Sequence, residues 1–252
     1  MRSPIPADKR VVVTAGGQGI GRAIADAFLA AGAHVHVADL AAGPGVDTAA
    51  DLSVEADVSR LFDDIDTRLG GLDVLINNVG IAGPTGPMES LTLDDWHQTM
   101  AVNVAGHFLP TREAIPRLRA AGGGSVISIS STAGTWGYPN RTPYAASKWA
   151  VVGMTKSLAM ELGDDNIRVN CITPGSISGP RMDAVIDAEA QATGEDPDVI
   201  RQGYADAASM RTFIDTEDIA AMACWLASDA ARLVSGQIVA VDGSTETLRT
   251  SR

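Results

Sequence analysis

Cysteine, basic residues and aromatic residues are all scarce in this chain. Its 252 residues include two cysteines, Cys171 and Cys224, which are too few for a disulfide framework and lack the spacing of metal ligands. Lysine and arginine total 19 against 31 acidic residues, and the resulting net charge of −12 argues against nucleic acid as a partner. Four phenylalanines, four tryptophans and three tyrosines provide no obvious aromatic groove for a large steroid-like ligand.

Long apolar runs are absent as well. No segment approaches the roughly 18 uninterrupted apolar residues that a membrane-spanning helix needs. Residues 1–10 contain two prolines and several charged side chains where a secretory signal would place an apolar stretch. We therefore expect a cytoplasmic protein that has no membrane partner and keeps both cysteines as buried apolar side chains.

The sequence instead shows a regular alternation of short apolar runs, rich in β-branched residues, with longer alanine-rich amphipathic stretches. This pattern predicts one doubly wound α/β domain over residues 1–252, with a seven-stranded parallel sheet and helices on both faces. The predicted strands span residues 10–15, 33–39, 46–52, 72–77, 125–130, 168–173 and 237–241. The predicted helices span residues 21–31, 58–69, 92–101, 104–119, 143–162 and 217–226.

Two segments depart from this alternation. Only residues 40–46 separate the second predicted strand from the third, and they contain Gly43, Pro44 and Gly45. The crossover helix expected between these strands is therefore predicted to be short or absent. Residues 174–216 show no regular pattern and are long for a connection in a compact domain, so we interpret them as a substrate loop or lid.

A glycine-rich turn, T-A-G-G-Q-G-I-G at residues 14–21, joins the first predicted strand to the first helix. Residues without a β-carbon let the backbone approach a pyrophosphate, and the free N–H groups that begin a helix attract its charge. Such turns also occur for purely structural reasons, so the motif alone does not decide. In this position it predicts a Rossmann-type cofactor site formed by Ala15, Gly17, Gln18, Gly19 and Ile20.

Asp39 ends the second predicted strand about 20 residues beyond the turn, where a carboxylate can accept hydrogen bonds from the ribose diol of a dinucleotide. This favours NAD over NADP as the cofactor. A 2′-phosphate would meet a carboxylate, and neither Gln18 nor Leu40 supplies the cation to hold it. The alternative is an ordinary solvated aspartate at a strand end.

Further motifs agree in order and spacing with a known family. Asp51-Leu52 lies 26 residues before N-N-V-G at 77–80, and Y-A-A-S-K, P-G-S-I and S-G-Q-I-V-A-V-D-G follow in turn. From Val11 to Gly243 the chain resembles the short-chain dehydrogenase/reductase family. It departs from the usual motifs conservatively, with Ala15 in place of a glycine and Val79 in place of an alanine.

The resemblance implies several cofactor contacts. Asp51 and Leu52 would contact the adenine, and Asn78 would contact the adenosine side of the cofactor. Asp57 competes with Asp51 for the first role, but it lies only 20 residues before Asn77. Ile177, in P-G-S-I, would contact the nicotinamide carboxamide through its backbone. The resemblance also implies a homotetramer, or at least a dimer.

Tyr144 and Lys148 are four residues apart near the start of a predicted helix, so the phenol and the ammonium share one helix face. A free tyrosine has a pKa of about 10, which a neighbouring positive charge lowers toward the range of a general base. Alone, the pair would usually be an ordinary amphipathic feature. The resemblance makes Ser131 rather than Ser130 the residue that orients the substrate oxygen, because it lies 13 residues before Tyr144. It also makes Asn103 the fourth catalytic residue, whose side chain would help to hold a proton-relaying water.

We expect no metal site. His34 and His36 share a strand face without a third ligand nearby in sequence. Together with His97 and His107, they are interpreted as packing residues.

These residues predict an NAD-dependent oxidoreductase acting on a small secondary alcohol or ketone of the sugar, polyol or cyclic diol type, with Tyr144 as general acid and base. One alternative is a 3-oxoacyl-thioester reductase, against which Asp39 and the acidic net charge argue. Another is a protein that binds NAD without turnover. Arg141, Arg181 and Arg201 lie in the variable segments and would bind an anionic substrate group if directed inward.

Overall fold

Seven short and mostly apolar segments form strands in the computed structural model, which describes residues 8–247. They are β1 (Arg10–Thr14), β2 (His34–Asp39), β3 (Thr48–Ala49), β4 (Val74–Asn77), β5 (Gly124–Ile129), β6 (Ile167–Pro174) and β7 (Ile238–Val241). They pair in parallel throughout, in the order β3-β2-β1-β4-β5-β6-β7. The predicted seven-stranded parallel sheet is confirmed.

Helices connect the strands and cover both faces of the sheet. They are α1 (Gly19–Ala30), α2 (Glu55–Leu69), α3 (Leu93–Met100), α4 (Gly106–Ala120), α5 (Thr142–Glu161), α6 (Pro180–Thr193), α7 (Pro197–Asp206) and α8 (Thr216–Ala227). Short 3₁₀ turns lie at Met88–Ser90, Thr132–Gly134, Gly163–Asp165 and Asp229–Ala231, and a π-helical turn spans Ala101–Ala105.

Three valines of β1 show how the sheet builds two cores. Side chains alternate between the faces of a strand. Val11 and Val13 therefore pack into the core beneath α1 and α8, whereas Val12 packs into the core beneath α2 and α4. All three are fully buried, as is typical of a parallel sheet covered on both sides.

The region between β2 and β4 contains less strand structure than predicted. Residues 40–47 form turns and bends, which agrees with a missing crossover helix. The strand predicted over 46–52 was wrong in length, because only Thr48 and Ala49 pair with β2. β3 is an edge strand with one neighbour, so its pairing ends where the chain turns toward α2.

The prediction of irregular structure over residues 174–216 was wrong, because this segment contains α6 and α7. Pro180 and Pro197 stand in the first turns of these helices, where a proline gives up no hydrogen bond. Gly194 ends α6 with a left-handed φ of 75°. Residues that indicated a loop in the sequence are therefore the start and stop signals of two helices.

The two helices predicted over 92–101 and 104–119 are not separated by a break at residues 102–103. α3 passes through the π turn Ala101–Ala105 directly into α4. The chain thus stays helical there but contains one wide turn, a feature that is frequent at functional sites.

Residues 1–7 and 248–252 lie outside the described residues. They include both ends of the predicted domain 1–252 and most of residues 1–10, for which we expected no secretory signal. Among the helices formed by residues 8–247, none is both long and apolar enough to cross a membrane.

Candidate active site

The predicted site residues collect along one edge of the sheet, where the parallel strands end. Thr14 ends β1, Asp39 ends β2 and Asn77 ends β4. β1 lies between β2 and β4, so the strand order reverses there. Ser131 follows β5 and Pro174 ends β6 at the same edge. Ligands of open parallel sheets bind outside the carboxyl ends of the strands at such a reversal.

The turn between β1 and α1 passes very close to neighbouring side chains. A β-carbon on Gly16 would lie 2.7 Å from Val37 Cγ1, and one on Gly17 would lie 2.9 Å from Asp39 Oδ2. α1 then begins at Gly19 without a side-chain cap from the described residues and without an acidic residue in its first turn. Its first N–H groups therefore remain suited to an anion, and the turn fits the pyrophosphate of a dinucleotide.

Asn78, predicted as a cofactor contact, also fixes this turn. Its Nδ2 donates to the Ala15 carbonyl at 2.9 Å, and its backbone N–H donates to Thr14 Oγ1 at 2.9 Å. A β-carbon on Gly21 would collide with the Ala15 carbonyl and the Asn78 amide. Ala15 itself holds a φ of 49°, a left-handed conformation that glycine adopts without steric strain and that costs other residues roughly 1–2 kcal/mol.

Asp39 lies half-buried at the end of β2 and faces the glycine-rich turn. Its Oδ2 accepts a hydrogen bond from the Gly17 N–H at 2.9 Å, and its Oδ1 accepts one from the Leu40 N–H at 2.7 Å. Each carboxylate oxygen has further acceptor capacity, so both remain available to hydroxyl donors. The carboxylate is thus held in place by the same turn that fits the pyrophosphate.

Arg22 is a nearby cation whose position beside this turn no sequence motif indicates. Its Nη1 donates to the Gly45 carbonyl at 3.1 Å, and its Nη2 pairs with Asp26 at 2.6 Å. Residues 40–47 form a loop where a helix would be usual, and no sequence pattern indicates that this loop contacts α1. Through its two Nη groups the guanidinium fastens the loop after β2, while its Nε is buried without a partner among the described residues.

Asp51 and Leu52, the residues predicted to contact the adenine, lie just after β3. Leu52 is buried, while Asp51 Oδ1 accepts hydrogen bonds from the N–H and the hydroxyl of Ser53 at 2.9 and 2.6 Å. The competing residue Asp57 accepts a hydrogen bond from the Asp51 N–H at 2.9 Å. This bond is the main cause that holds the pKa of Asp57 below its usual value, and Arg60 adds to it. The two aspartates thus belong to one hydrogen-bonded turn.

Tyr144 and Lys148 lie in the first two turns of α5 and share one face, as predicted. Lys148 Nζ is 5.8 Å from the centroid of the Tyr144 ring. It also donates to the carbonyl of Ile129, the last residue of β5, at 3.1 Å. Burial lowers the pKa of Lys148, while the adjacent phenol raises it. This ammonium therefore stands buried beside the phenol and is anchored to the sheet.

The environment of Tyr144 favours the phenolate. Burial alone would raise the pKa of the phenol, but the positive charges of Lys148, Arg181 and Arg141 lower it, as does the nearby hydroxyl of Ser131. The balance places the pKa of Tyr144 below its ordinary value of 10.0. The arrangement can therefore support proton transfer by the phenol.

The two serines after β5 differ in what they contact. The buried Ser130 hydroxyl donates to the backbone carbonyl of Lys148 at 2.9 Å. Ser131 is half-buried, accepts a hydrogen bond from the Ala133 N–H at 3.1 Å and interacts with Tyr144. Ser131 is therefore the serine that lies beside the phenol, as the 13-residue spacing predicts.

Asn103 lies fully buried inside the π turn. Its Oδ1 accepts from the Ile81 N–H at 2.7 Å, and its Nδ2 donates to the Ile81 carbonyl at 3.0 Å and to Ser147 Oγ at 2.9 Å. Ser147 in turn donates to the Tyr144 carbonyl at 2.7 Å. Both amide hydrogens of Asn103 are thus engaged in joining the loop after β4 to α5.

Ile177 lies in the segment between β6 and α6 and forms an isolated parallel bridge with Ile214. The Ser178 N–H donates to the Ile214 carbonyl at 3.0 Å, and the Ile214 N–H donates to the Ser176 carbonyl at 2.8 Å. These bonds tie the P-G-S-I segment to the chain that follows α7.

A chain of hydroxyl groups connects α6 and α7 to the loop after β5. The hydroxyls of Tyr138 and Tyr204 lie 2.6 Å apart, and Tyr204 donates to Glu189 Oε2 at 2.6 Å. The Tyr138 ring meets the Tyr144 ring edge to face, with centroids 6.4 Å apart. No signal in the sequence links Tyr138 and Tyr204, which are 66 residues apart.

The histidines do not form a metal site in the described part of the chain, where no group of three or more potential ligands could hold an ion. His107 is fully buried, and its Nε2 contacts the Val79 carbonyl at 2.9 Å. Burial lowers the pKa of His107 to about 3, with a smaller contribution from Lys148. His36 is buried as well, whereas His34 and His97 are exposed, so the packing role predicted for these two was wrong.

Comparison with known proteins agrees with this arrangement. Residues 14–244 match the family model described as enoyl-(acyl carrier protein) reductase. The chain is also 34% identical to trans-4-hydroxycyclohexanecarboxylate dehydrogenase of Sinomonas cyclohexanicum, over 94% of this chain and 92% of that protein. The chain belongs to the short-chain dehydrogenase/reductase family.

Two further similarities extend the family assignment. This short-chain dehydrogenase/reductase is 36% identical to (+)-borneol dehydrogenase 2 of Salvia officinalis, over 92% of this chain and 87% of that protein. Its fold matches a solved structure of NAD⁺-bound xylitol dehydrogenase with a TM-score of 0.90 and 25% identity, over 94% of this chain and 99% of that one. The chain is an oxidoreductase of the alcohol dehydrogenase or ketone reductase kind, which confirms the predicted enzyme class.

Proposed function

We propose that this short-chain dehydrogenase/reductase transfers hydride between NAD and a small secondary alcohol or its ketone, of the sugar, polyol or cyclic diol type. The observation that carries the proposal is the environment of Tyr144, whose phenol lies beside Lys148 and Ser131 with a lowered pKa. The relatives named for a hydroxycyclohexanecarboxylate and for borneol support a cyclic secondary alcohol.

Each proposed catalytic residue has a defined task. In the oxidative direction, Tyr144 takes the proton of the substrate hydroxyl and Ser131 donates a hydrogen bond to the substrate oxygen. Lys148 stabilises the phenolate and would hold the ribose hydroxyls of the cofactor. Bound NAD⁺ would supply the hydride acceptor for the substrate carbon.

For Asn103 we propose a role that differs from the predicted one. Its two amide hydrogens are engaged by Ile81 and Ser147, so its side chain is a weak candidate for holding a water. We assign it the task of positioning α5, because Ser147 connects it to the backbone of Tyr144.

The proposed preference for NAD rests on Asp39. Its carboxylate is fixed by the Gly17 N–H at the end of β2, where a 2′-phosphate would be repelled. Arg22 is the cation nearest in the chain to this turn, and it is engaged by Gly45 and Asp26. We also propose that Ala15, Gly17, Gln18, Gly19, Ile20, Asp51, Leu52, Asn78 and Ile177 contact the cofactor.

The substrate would enter beneath α6 and α7, for which we retain the role of a lid. Tyr138 and Tyr204 join this lid to the loop beside Tyr144. The homotetramer, or dimer, remains a proposal that is supported by the exposed Phe108 and Trp149 on α4 and α5.

A 3-oxoacyl-thioester reductase is the second candidate function. The description of the matching family model, which names an acyl carrier protein, favours it. The net charge of −12 argues against it, because an acidic carrier protein would meet an acidic surface.

A substrate panel distinguishes these functions. Formation of NADH, followed by its absorbance, is measured with sugars, polyols, hydroxy acids and cyclic alcohols, and NADP⁺ is tested in parallel. We expect NAD-dependent oxidation of at least one cyclic alcohol or polyol. Reduction of a 3-oxoacyl thioester without any alcohol oxidation would replace the proposal with the second candidate.

A further inference from the structure

Three positively charged side chains act electrostatically on the phenol of Tyr144, and none of them has a carboxylate partner among the described residues. Lys148 donates to a backbone carbonyl, and so does Arg141. Arg181 forms no salt bridge within residues 8–247. The chain as a whole is acidic, with a net charge of −12, so a local group of cations without acidic partners is unusual in it.

Arg141 is a buried part of this group. Its exposed fraction is only 4%, and its Nη2 donates to the Ala82 carbonyl at 2.8 Å. Its Nε is buried without a hydrogen-bond partner in the described chain. The guanidinium lies 5.3 Å from the ring centroids of both Tyr138 and Tyr144. A buried guanidinium is normally paired, so this one indicates a site with an unmet need for negative charge.

Arg181 is the exposed member and lies at the start of the lid. The adjacent residue Met182 packs against the cluster that contains Tyr138 and Tyr204, which places the first turn of α6 beside the aromatic wall of the site. The charge of Arg181 acts on both Tyr144 and Lys148, lowering the pKa of each.

Two other charged residues of α6 and α7 have partners. Arg201, the third arginine of the variable segments, forms a salt bridge with Asp183. Glu189 accepts the hydroxyl of Tyr204. Of these two lid arginines, Arg201 is thus paired within the lid, whereas Arg181 is exposed and has no salt-bridge partner among residues 8–247.

We propose that the substrate carries a carboxylate, or another oxyacid group of like charge, which forms an ion pair with Arg181 while Arg141 supplies a second positive charge from the aromatic wall. The planar guanidinium matches the two oxygens of such a group. The anion also offsets the mutual repulsion of the three cations. This inference rests on the proposed function, since it assigns the substrate class of the same site.

Binding of unreactive probes tests the anion subsite without requiring turnover. The affinities of cyclohexanecarboxylate and its neutral isostere cyclohexanecarboxamide are measured by calorimetry on the protein with NADH bound. We expect the carboxylate to bind about tenfold to a hundredfold more tightly. Arg181→Gln removes this preference, whereas Arg181→Lys retains part of it because the charge remains.

Arg201→Gln is the matched control, because it removes a lid arginine that is already paired with Asp183. It leaves the preference for the carboxylate unchanged. Equal affinities of the wild type for the two probes overturn the proposal, and so does an equal loss in the Arg181 and Arg201 variants.

Two further measurements test whether Arg181 instead binds the cofactor phosphates, and which oxyacid group the subsite prefers. The affinity of Arg181→Gln for NADH stays within about twofold of the wild type, and a loss of tenfold or more reassigns Arg181 to the phosphates of the cofactor and overturns the proposal. Cyclohexyl phosphate, measured beside the carboxylate, identifies which oxyacid group the subsite prefers.

Turnover of cyclohexanol and of trans-4-hydroxycyclohexanecarboxylate distinguishes failure of this inference from failure of the proposed function. Oxidation of cyclohexanol with equal or lower kcat/KM for the hydroxy acid leaves the oxidoreductase function intact and overturns the anion subsite. Preferential carboxylate binding through Arg181 without oxidation of either alcohol upholds the subsite and overturns the proposed substrate type.

Discussion

The hydroxyl of Ser130 donates a hydrogen bond to the backbone carbonyl of Lys148 at a distance of 2.9 Å. This bond joins the end of β5 to α5 at the residue whose ammonium lies beside the Tyr144 ring. A β-carbon on Gly134 would lie 2.6 Å from Ser130 Oγ and 2.8 Å from the Lys148 carbonyl, so the junction has no free space. Ser130 thus aligns the two elements, and Ser131 is left to face the phenol.

The two serines should respond differently to substitution. Ser131→Ala removes the proposed hydrogen bond to the substrate oxygen and the acceptor for the Ala133 N–H, so we expect kcat/KM to fall by about 10²- to 10³-fold and the free energy of unfolding to fall by about 1 kcal/mol. Ser130→Ala should lower the free energy of unfolding by a similar amount, about 1 kcal/mol measured by urea denaturation, with a smaller loss of kcat/KM. A larger loss of kcat/KM in Ser130→Ala than in Ser131→Ala would reverse the assignment.

Cofactor preference should change at the end of β2. Replacing Asp39 by Ser together with Leu40→Arg removes the carboxylate and adds a cation for a 2′-phosphate. We expect the ratio of kcat/KM for NADP⁺ to that for NAD⁺ to rise by about a hundredfold. Asp39→Asn is the control, because its amide oxygen can still accept the Gly17 N–H. An unchanged ratio in the double variant would mean that the ribose is held elsewhere.

The pH dependence of oxidation should follow the charges around Tyr144. Oxidation needs the phenolate, so kcat/KM rises with pH and levels off above the pKa of Tyr144, which the neighbouring cations lower. Arg181→Gln removes one of these cations, and we expect the rising limb to move to higher pH. Arg201→Gln should leave the profile in place, and a shift of equal size in both variants would argue against the assignment.

The alternation of strands and helices was predictable because it depends on local apolar patterns. Val11 to Val13 are buried on both sides, and a continuous apolar run is what such a strand requires. The positions of Asp39 and Ser131 at strand ends follow from the same pattern. The juxtaposition of these residues in space follows from the parallel order of the sheet.

Other features depend on contacts that the sequence does not display. α6 buries only Ile186 fully, so its apolar periodicity is weak and its flanking Gly179 and Pro180 suggest a loop. The π turn around Asn103 contains one more residue than a turn of α-helix, and this difference produces no recognisable pattern in the sequence. The contact of Tyr138 with Tyr204 joins segments that only the folded lid brings together.

His107 should make stability sensitive to acid. Its pKa of about 3 in the folded chain lies below its ordinary value of 6.5, so the unfolded chain binds a proton that the folded chain does not. The stability is fully present above about pH 6.5 and falls as the pH is lowered, with a slope of up to about 1.4 kcal/mol per pH unit from this group.

The contribution of His107 is measured by urea denaturation between pH 7 and pH 5. We expect His107→Gln, which keeps a donor for the Val79 carbonyl, to flatten the dependence of the free energy of unfolding on pH. His97→Gln changes an exposed histidine and should leave the dependence as it is in the wild type. A wild-type slope in His107→Gln would show that another group is responsible.

In the proposed mechanism the phenol of Tyr144 transfers the proton, and Tyr144→Phe is the variant that removes this group alone. Turnover of the best alcohol substrate and the affinity for NADH are measured on the same preparation, with Tyr138→Phe as a control that removes a neighbouring hydroxyl. We expect kcat to fall by about 10²- to 10⁴-fold in Tyr144→Phe, with NADH affinity within about twofold of the wild type. Wild-type turnover in Tyr144→Phe would mean that another group transfers the proton.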